Sequence, residues 1–325
     1  MAVAYIFPGQ GSQAVGMGKA LADNFPAARA VFEEVDDTLG EKLSGLIFGG
    51  PAETLMLTEN TQPALMTVSL AAMRVLESEA GVDLGHEAAF VAGHSLGEYS
   101  ALAAAGALTI ADTARLVRTR GRAMQKAVPV GVGAMAALIG LDFEQAVAVA
   151  AEAAQGQVCQ AANDNGAGQV VVSGDKAAVE RAVEIAKGQG AKRAAMLPVS
   201  APFHCALMQP AAEVMADALA HITVRRPVVP LVANVLAKPV SDPSGIVEGL
   251  VAQVTGTVRW RESVEFMAGA GVRMFYEVGA GKVLTSLVKR IAAGAAGVAV
   301  GTPADIAACV SARAQDLPLR ATGTA

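Results

Sequence analysis

Short apolar runs, each bounded by glycine or proline, alternate along the chain with longer alanine-rich stretches of helical character. This alternation is typical of a parallel sheet covered by helices. The first two runs, 3–7 and 89–92, each lead into a glycine-rich turn and then into a helix. The pattern therefore predicts an α/β fold whose main sheet is parallel.

The segment from residue 130 to residue 198 has a different rhythm. Its pattern predicts the order β-α-β-β-α-β, which is the ferredoxin-like arrangement. The predicted elements are a strand at 134–141, a helix at 143–155, strands at 158–162 and 169–173, a helix at 176–188 and a strand at 192–197. Because strand and helix alternation resumes after Pro202, this unit is expected to interrupt a larger domain.

The larger domain continues with predicted strands at 230–235 and 272–278, a helix at 246–255, and a further helix after Gly279. The residues after 315 carry no periodicity and are expected to form a loose tail. The predicted organisation is a discontinuous large domain of residues 1–128 and 199–315, an inserted small subdomain of residues 129–198, and a C-terminal tail of residues 316–325.

Composition narrows the classes of partner. Of the 325 residues, 53% are hydrophobic and 17% are charged, against about 25% charged residues in a typical globular domain. The net charge is −5, and no basic run is long enough to follow a nucleic-acid backbone. The longest uncharged apolar stretch, 128–141, is broken by proline and glycine and is too short for a membrane span. We expect a soluble, core-rich protein that binds neither nucleic acid nor membranes.

The cysteines indicate the redox environment. Cys159, Cys205 and Cys309 are far apart, with no C-x-x-C pair and no Cys/His cluster at zinc-ligand spacing. The N-terminus lacks the basic start and apolar stretch of a signal peptide. We therefore expect a protein of the reducing cytoplasm that holds no metal.

A serine motif lies between the second predicted strand and the helix that follows it. Residues 93–97 match G-x-S-x-G, and in a strand-turn-helix context this motif exposes the serine hydroxyl at the carboxyl edge of the sheet. The backbone N–H of Leu96 would then point to where an oxyanion forms. Glycine-rich strand-to-helix turns are also common without catalysis, so it is the context that makes Ser95 a candidate nucleophile.

A serine nucleophile needs a base, and the chain has four histidines. His204 follows a strand predicted at 196–199, and loops after strand ends carry site residues in α/β enzymes. A lone loop histidine is equally often a structural residue. His94 is next to the serine, and its ring should point away from it. His86 lies in a predicted loop and His221 near the end of a predicted helix.

No aspartate is an obvious third member of a catalytic triad. In α/β hydrolases the acid lies between the serine and the histidine in chain order. Here that interval contains the predicted subdomain, whose Asp164 and Asp175 lie in its own turns. A hydrolase triad is therefore poorly supported.

The helix predicted at 110–128 carries arginines in two phases. A polar stripe is formed by Arg115, Arg118, Arg122 and Gln125. Arg120 instead falls on the apolar side with Leu116 and Met124. A guanidinium facing the core needs an anionic partner, and its planar fork suits a carboxylate. Arg120 either pairs with a structural acid or snorkels, or it holds a substrate carboxylate next to Ser95.

The loop after the first strand is a weaker signal. Residues 9–14 match the dinucleotide fingerprint G-x-G-x-x-A. Pro8 precedes the match, further glycines follow it, and no acidic strand end comes at the expected distance. Nucleotide binding is thus weakly supported, although the loop can still donate a backbone N–H to an anion.

Taken together, these residues resemble one family, the malonyl-CoA:acyl carrier protein transacylases of fatty acid synthesis. The matching segments are 7–13 (FPGQGSQ), 61–64 (TQPA), 93–99 (GHSLGEY), 120–121 (RG), 198–205 (PVSAPFHC) and 277–284 (EVGAGKVL). They run in order over nearly the whole chain, and together they are highly specific. The resemblance implies an α/β hydrolase-like large domain interrupted by a ferredoxin-like small one, in agreement with the pattern above.

The resemblance also implies roles for individual residues. Ser95 corresponds to the nucleophile, His204 to the base and Arg120 to the clamp on the malonyl carboxylate. The oxyanion donors correspond to the backbone N–H groups of Gln10 and Leu96.

Three further positions follow from the same resemblance. The family's histidine is oriented by a backbone carbonyl, here that of Gln253, which would account for the missing acid. Phe203 resembles the malonyl-selecting form of its loop, because a bulky ring would crowd an α-methyl group. Ala280 stands where relatives often have proline, in a turn remote from the proposed chemistry.

The implied reaction is ping-pong transfer of a malonyl group from malonyl-CoA to the phosphopantetheine thiol of holo acyl carrier protein. No cofactor and no metal are implied, and a monomer is expected. Basic residues near the cleft are candidates for contact with the acidic carrier protein, although an ordinary solvated helix face explains each of them as well. These candidates are Lys282, Lys289 and Arg290.

The sequence leaves three other functions open. A serine thioesterase or esterase would use the same Ser95 and His204. A nucleotide-binding protein without catalytic activity would use the glycine turn at 9–14. A loading subunit for polyketide synthesis or malonate decarboxylation would use the same site as the transacylase.

Overall fold

The computed structural model describes residues 2–129 and 131–320, and side chains as far as residue 315. These residues form two sheets with helices packed on them. The larger sheet is mostly parallel and the smaller one is antiparallel. The predicted α/β class, with a parallel main sheet and a separate small one, is confirmed.

Ten strands form the two sheets in the described part of the chain. They are β1 (Ala2–Phe7), β2 (Ala88–Gly93), β3 (Gly133–Ile139), β4 (Cys159–Asp164), β5 (Gln169–Asp175), β6 (Arg193–Met196), β7 (Leu231–Ala233), β8 (Lys238–Val240), β9 (Val272–Val278) and β10 (Ala296–Val300).

Fifteen α-helices and a 3₁₀ turn at Ala206–Met208 connect and cover these strands in the same residues. The helices are α1 (Lys19–Asn24), α2 (Pro26–Leu39), α3 (Leu43–Gly49), α4 (Ala52–Leu55), α5 (Thr58–Ala80), α6 (Leu84–Glu87), α7 (Gly97–Ala104), α8 (Ile110–Ala127), α9 (Phe143–Ala154), α10 (Lys176–Gly188), α11 (Gln209–Ala220), α12 (Pro243–Thr255), α13 (Trp260–Gly269), α14 (Val283–Ile291) and α15 (Pro303–Arg320). None of them is long and apolar enough to cross a membrane.

The large sheet has the strand order β10-β9-β1-β2-β7-β8, and all neighbours are parallel except β7 and β8. Its central strand β1 is apolar and buried on both faces, as parallel strands between helix layers are. Phe7 at the end of β1 pairs with Gly93 at the end of β2. The loop at residues 9–14 and the serine motif therefore leave the sheet side by side at its carboxyl edge.

The small sheet has the order β4-β5-β3-β6 and is antiparallel throughout. With α9 and α10 packed on one face, it has the ferredoxin-like order that the sequence predicts. Its core is a separate cluster of small aliphatic side chains, among them Val149, Val172 and Val179. The sheet lies within the predicted limits 129–198, and the limits themselves stay a prediction.

The structure differs from the sequence-based elements at several points. The strand expected at 196–199 does not form, because the last small-sheet strand β6 ends at Met196. The strand predicted at 230–235 is shortened to β7 and is followed by a hairpin partner, β8, that was not predicted. Edge strand β10 was not predicted either. Helix α15 continues to Arg320, so residues 316–320 are helical rather than a loose tail, and 321–325 lie outside the described residues.

Candidate active site

The serine motif forms a tight elbow between β2 and α7. Ser95 has a φ of 53°, which is in the left-handed region. A Cβ on Gly93 would lie 1.9 Å from the carbonyl carbon of Gly97, and one on Gly97 would lie 2.2 Å from the oxygen of Phe7. Only glycine fits at both positions, because those distances are far below van der Waals contact. The turn thus forces the Ser95 side chain out at the carboxyl edge of the sheet.

The strained backbone of Ser95 is held by a polar side chain from the neighbouring strand. Asn234 follows β7, and its Oδ1 accepts a hydrogen bond from Ser95 N at 2.8 Å. Its Nδ2 donates to the carbonyl oxygen of Gly93 at 2.7 Å. Asn234 therefore hydrogen-bonds to the backbone on both sides of His94 and stabilises the turn.

His204 lies beside the serine hydroxyl. Its Nε2 is 2.8 Å from Ser95 Oγ, while its Nδ1 is 2.8 Å from the carbonyl oxygen of Gln253 and 3.2 Å from that of Gly256. Carbonyl oxygens only accept hydrogen bonds, so Nδ1 carries the ring proton. Nε2 then presents its lone pair to the serine O–H, which is the arrangement that a general base requires.

The surroundings of His204 keep it uncharged. The residue is 4% exposed. Burial, together with the positive charge of Arg120, lowers its pKa from 6.5 to about 3, although the hydrogen bond to Gln253 opposes the shift. Its φ of 58° is also left-handed. The imidazole is therefore neutral at physiological pH and able to take a proton.

The other three histidines do not contact the serine hydroxyl. His94 turns away from it and pairs its Nε2 with Asn165 Oδ1 of the small subdomain at 2.9 Å. His86 is exposed in α6 and contacts Asp83. His221 ends α11 and contacts the carbonyl oxygen of Asp217. Asp164 and Asp175 are also engaged elsewhere, with Arg261 and with the backbone of Val158.

Arg120 reaches the serine from helix α8. It is 1% exposed, and its guanidinium donates to Gln62 Oε1 at 2.7 Å, to Gln253 Oε1 at 2.8 Å and to Ser95 Oγ at 3.1 Å. It also lies 5.6 Å from the centre of the Tyr99 ring. Among the described residues, no carboxylate forms an ion pair with it. A buried cation whose partners are neutral oxygens is an electrostatic site for an anion.

A cleft of about 480 Å³ opens in front of these groups. Gln10, Leu96 and Phe203 line it, as do residues of the small subdomain such as Met135 and Asn163. Leu96 immediately precedes α7, where the helix dipole favours negative charge. No cluster of His, Cys, Asp or Glu side chains suited to a metal ion occurs in 2–129 and 131–315.

Three residues that contact the site were given no role from the sequence. Gln62 belongs to the quoted segment 61–64 and contacts Arg120. Asn234 follows the carboxyl end of a strand, a position that could have identified it. Glu98 is buried behind the elbow and accepts hydrogen bonds from Asn234 N and Gln253 Nε2. Its place in the quoted segment 93–99 gave no indication of this contact.

The prediction of a polar stripe on α8 was partly wrong. Arg115 and Arg122 are exposed as predicted. Arg118 is 5% exposed, because the first turn of α5 covers it and both the backbone of Glu59 and the side chain of Asn60 accept its hydrogen bonds. Helix α8 packs on α5, α2 and α11, so its solvent-facing stripe is narrow: it runs through Arg115, Thr119, Arg122 and Lys126 and leaves Arg118 on the buried side.

Comparison with known proteins identifies the family of the chain. The acyl transferase domain family matches residues 4–307. The chain is 50% identical over 307 residues to the malonyl CoA-acyl carrier protein transacylase of Escherichia coli (strain K12), a match that covers 94% of this chain and 98% of that protein.

Two solved structures extend the comparison. The acyl-carrier-protein S-malonyltransferase of Bartonella henselae is 56% identical with a TM-score of 0.94, over 97% of this chain and all (100%) of that one. A malonyl-transacylase solved in complex with a type II PKS acyl-carrier protein is 44% identical with a TM-score of 0.92, over 96% of this chain and 100% of that one. The chain therefore belongs to the acyl transferase family and, within it, to the malonyl CoA-acyl carrier protein transacylases.

Proposed function

We propose that this enzyme moves a malonyl group from malonyl-CoA to the phosphopantetheine thiol of a holo acyl carrier protein through a malonyl ester of Ser95. The observation that carries the proposal is the convergence of three groups. Ser95 Oγ lies 2.8 Å from a neutral imidazole and 3.1 Å from a buried guanidinium that has no carboxylate partner among the described residues. The oxygen of the nucleophile is thus in contact with both a base and a site for an anion.

In the first half-reaction, His204 Nε2 takes the proton of Ser95 as Oγ attacks the thioester carbonyl carbon. The negative charge that develops on the carbonyl oxygen is stabilised by the backbone N–H groups of Gln10 and Leu96. The C–S bond then breaks, and His204 returns its proton to the CoA sulfur. The products are malonyl-Ser95 and CoA thiol.

The second half-reaction runs through the same groups in reverse. His204 takes the proton of the phosphopantetheine thiol, whose sulfur attacks the ester carbonyl of malonyl-Ser95. Collapse of the tetrahedral intermediate breaks the bond to Oγ, and His204 protonates the serine. Gln253, through its backbone carbonyl, keeps the imidazole in the required tautomer during both halves.

Arg120 selects the acyl group. Its donors face the serine oxygen, so the free carboxylate of a malonyl ester falls within reach of the guanidinium. An acetyl group offers no such charge and leaves Arg120 without an anion. Phe203, which lines the cleft, narrows the space beside the α-carbon and disfavours a methyl branch.

The carrier protein would dock beside α14. Val283, Leu284 and Leu287 of this helix line the cleft. Three exposed basic residues suit an acidic partner: Lys289 and Arg290 in α14, and Lys282 directly before it. Because one relative was solved with a type II PKS acyl-carrier protein, a polyketide carrier is the second candidate acceptor. Action as a monomer in the cytoplasm stays a prediction from the sequence.

The covalent step tests the proposal. Incubation with labelled malonyl-CoA should place one malonyl group on the wild-type enzyme at Ser95, as read by mass spectrometry, and none on Ser95→Ala. Ser100→Ala is the matched control, because Ser100 is buried in α7 and its hydroxyl has no hydrogen-bond partner among the described residues. Acylation of Ser95→Ala, or loss of acylation in both variants, would contradict the mechanism. Free malonate without transfer to a carrier protein would indicate a thioesterase.

A further inference from the structure

One buried carboxylate behind the nucleophile has no part in the mechanism above. Glu98 is 1% exposed and lies on α7, three residues after Ser95. Its Oε2 accepts hydrogen bonds from Gln253 Nε2 at 2.8 Å and from Asn234 N at 3.1 Å. A carboxylate withdrawn from water in this way is costly unless a charge of opposite sign lies near it.

That opposite charge is Arg120, and one amide group separates the two. Gln253 Oε1 accepts from the guanidinium at 2.8 Å, while Gln253 Nε2 donates to Glu98 and to the carbonyl oxygen of Ser95 at 2.9 Å. Arginine only donates and a carboxylate only accepts, so the orientation of the amide is determined. Glu98 compensates the charge of Arg120 without occupying the donors that face Ser95.

We propose that Glu98 is the counter-charge of Arg120, and that its negative charge weakens the hold of the guanidinium on a substrate carboxylate. Two anions then share one cation whenever a malonyl group is bound. Loss of the charge at Glu98 strengthens the binding of malonyl groups and leaves uncharged acyl groups unaffected. Glu98 acts through Arg120 and touches no substrate, and the inference rests on the malonyl transfer proposed above.

The proposal has a pH dependence with a definite sign. Burial raises the pKa of Glu98 from 4.5 to about 7, against the opposing effects of Gln253, Asn234 and Arg120. Two neighbouring titratable side chains do not change charge between pH 6 and pH 8, because the pKa of Tyr99 is raised to about 12 and the pKa of His204 is lowered to about 3. Below pH 7 Glu98 is neutral and malonyl binding is stronger, and above pH 7 it is charged and malonyl binding is weaker.

The experiment measures kcat/KM for acylation of Ser95 by malonyl-CoA and by acetyl-CoA from pH 6 to pH 8. The malonyl-to-acetyl ratio cancels effects on the base that both substrates share. In the wild type this ratio should fall as the pH rises through 7. In Glu98→Gln, whose side-chain oxygen can still accept from Asn234 and Gln253, the ratio should be independent of pH. At pH 8 it should exceed the wild-type ratio about tenfold, mainly through a lower KM for malonyl-CoA.

A matched control separates charge from folding. Asp36→Asn removes another buried carboxylate, which accepts from Ser44 in a region remote from the cleft. It should lower the melting temperature and keep the pH-dependent ratio of the wild type. A wild-type ratio that is flat from pH 6 to pH 8, or a folded Glu98→Gln variant with the wild-type ratio at pH 8, overturns the inference. A wild type that is never acylated by malonyl-CoA overturns the proposed function instead.

Discussion

Helix α8 holds two buried arginines, and they are buried in different ways. Arg118 forms an ion pair with Glu41 and donates to the backbone of Glu59 and the side chain of Asn60. Arg120 has only neutral oxygens as hydrogen-bond partners among the described residues, and its counter-charge, Glu98, lies beyond an intervening amide. The Arg118 guanidinium thus connects three segments of the chain, whereas the Arg120 guanidinium keeps a donor directed at Ser95 Oγ.

The difference shows what distinguishes a structural arginine from a binding one. Both are withdrawn from water, so burial alone does not separate them. A carboxylate in direct contact satisfies Arg118 and leaves little reason to bind another anion. Amide oxygens stabilise the charge of Arg120 less than a carboxylate would, which leaves it free to bind the substrate carboxylate that we propose.

The largest expected effect comes from removing the binding arginine. Arg120→Ala should lower kcat/KM for malonyl transfer by about 10³-fold, which corresponds to about 4 kcal/mol, because a buried charge–charge contact is lost. Acetyl transfer should be retained or increased. Parallel assays with the two CoA esters measure the ratio, and an unchanged malonyl-to-acetyl preference would show that Arg120 does not bind the carboxylate.

Removing the structural arginine should instead cost stability. Arg118→Ala leaves Glu41 and two partly buried oxygen acceptors, on Glu59 and Asn60, without their donor, and we expect a loss of about 2 kcal/mol in the free energy of unfolding. The malonyl-to-acetyl ratio should stay at the wild-type value. Urea denaturation provides the first quantity and the paired assay the second.

Arg115→Ala, on the same helix, is the control for this measurement. Arg115 is exposed and pairs only with Asp112, so its loss should cost less than about 0.5 kcal/mol. Equal destabilisation by the two variants, or a shifted substrate preference in Arg118→Ala, would remove the contrast between the two arginines.

The smallest effect concerns the base. His204 has a pKa of about 3, lowered first by burial and then by Arg120, so it stays neutral when the pH falls from 8 to 5. Acetyl-CoA acylation, which does not depend on Arg120 binding an anion, should therefore change by less than about twofold over this range. In Arg120→Ala the neighbouring cation is gone, and the acidic decline should begin at a higher pH. A wild-type decline centred near pH 6.5 would exclude this environment for His204.

The elbow could be predicted from the sequence because its determinants are local. Gly93 and Gly97 lie within four residues of each other, and the collisions that require glycine arise from the turn itself and from adjacent β1. Arg120 could also be singled out, since its helical phase departs from that of its polar neighbours. Both signals lie within one element or one turn.

Other contacts depend on elements far apart in the chain. Arg118 was assigned to an exposed stripe because periodicity counts one apolar face, whereas α8 packs between several helices. The contact of Glu98 with Gln253 joins residues separated by 155 positions. Strand β10 is a short edge strand with little pattern of its own. The position of Gln253 came from the family resemblance, and no local pattern marks it.

Residues 256–258, directly after α12, connect the two domains next to His204. The carbonyl oxygen of Gly256 accepts from His204 Nδ1, the hydroxyl of Thr257 donates to the carbonyl oxygen of Ala161 at 2.7 Å, and Val258 pairs with Asn163 in a parallel bridge. A rotation that separated β4 from this segment would also displace a carbonyl that orients the imidazole. The position of β4 at the cleft and the orientation of the His204 imidazole are therefore coupled through residues 256–258.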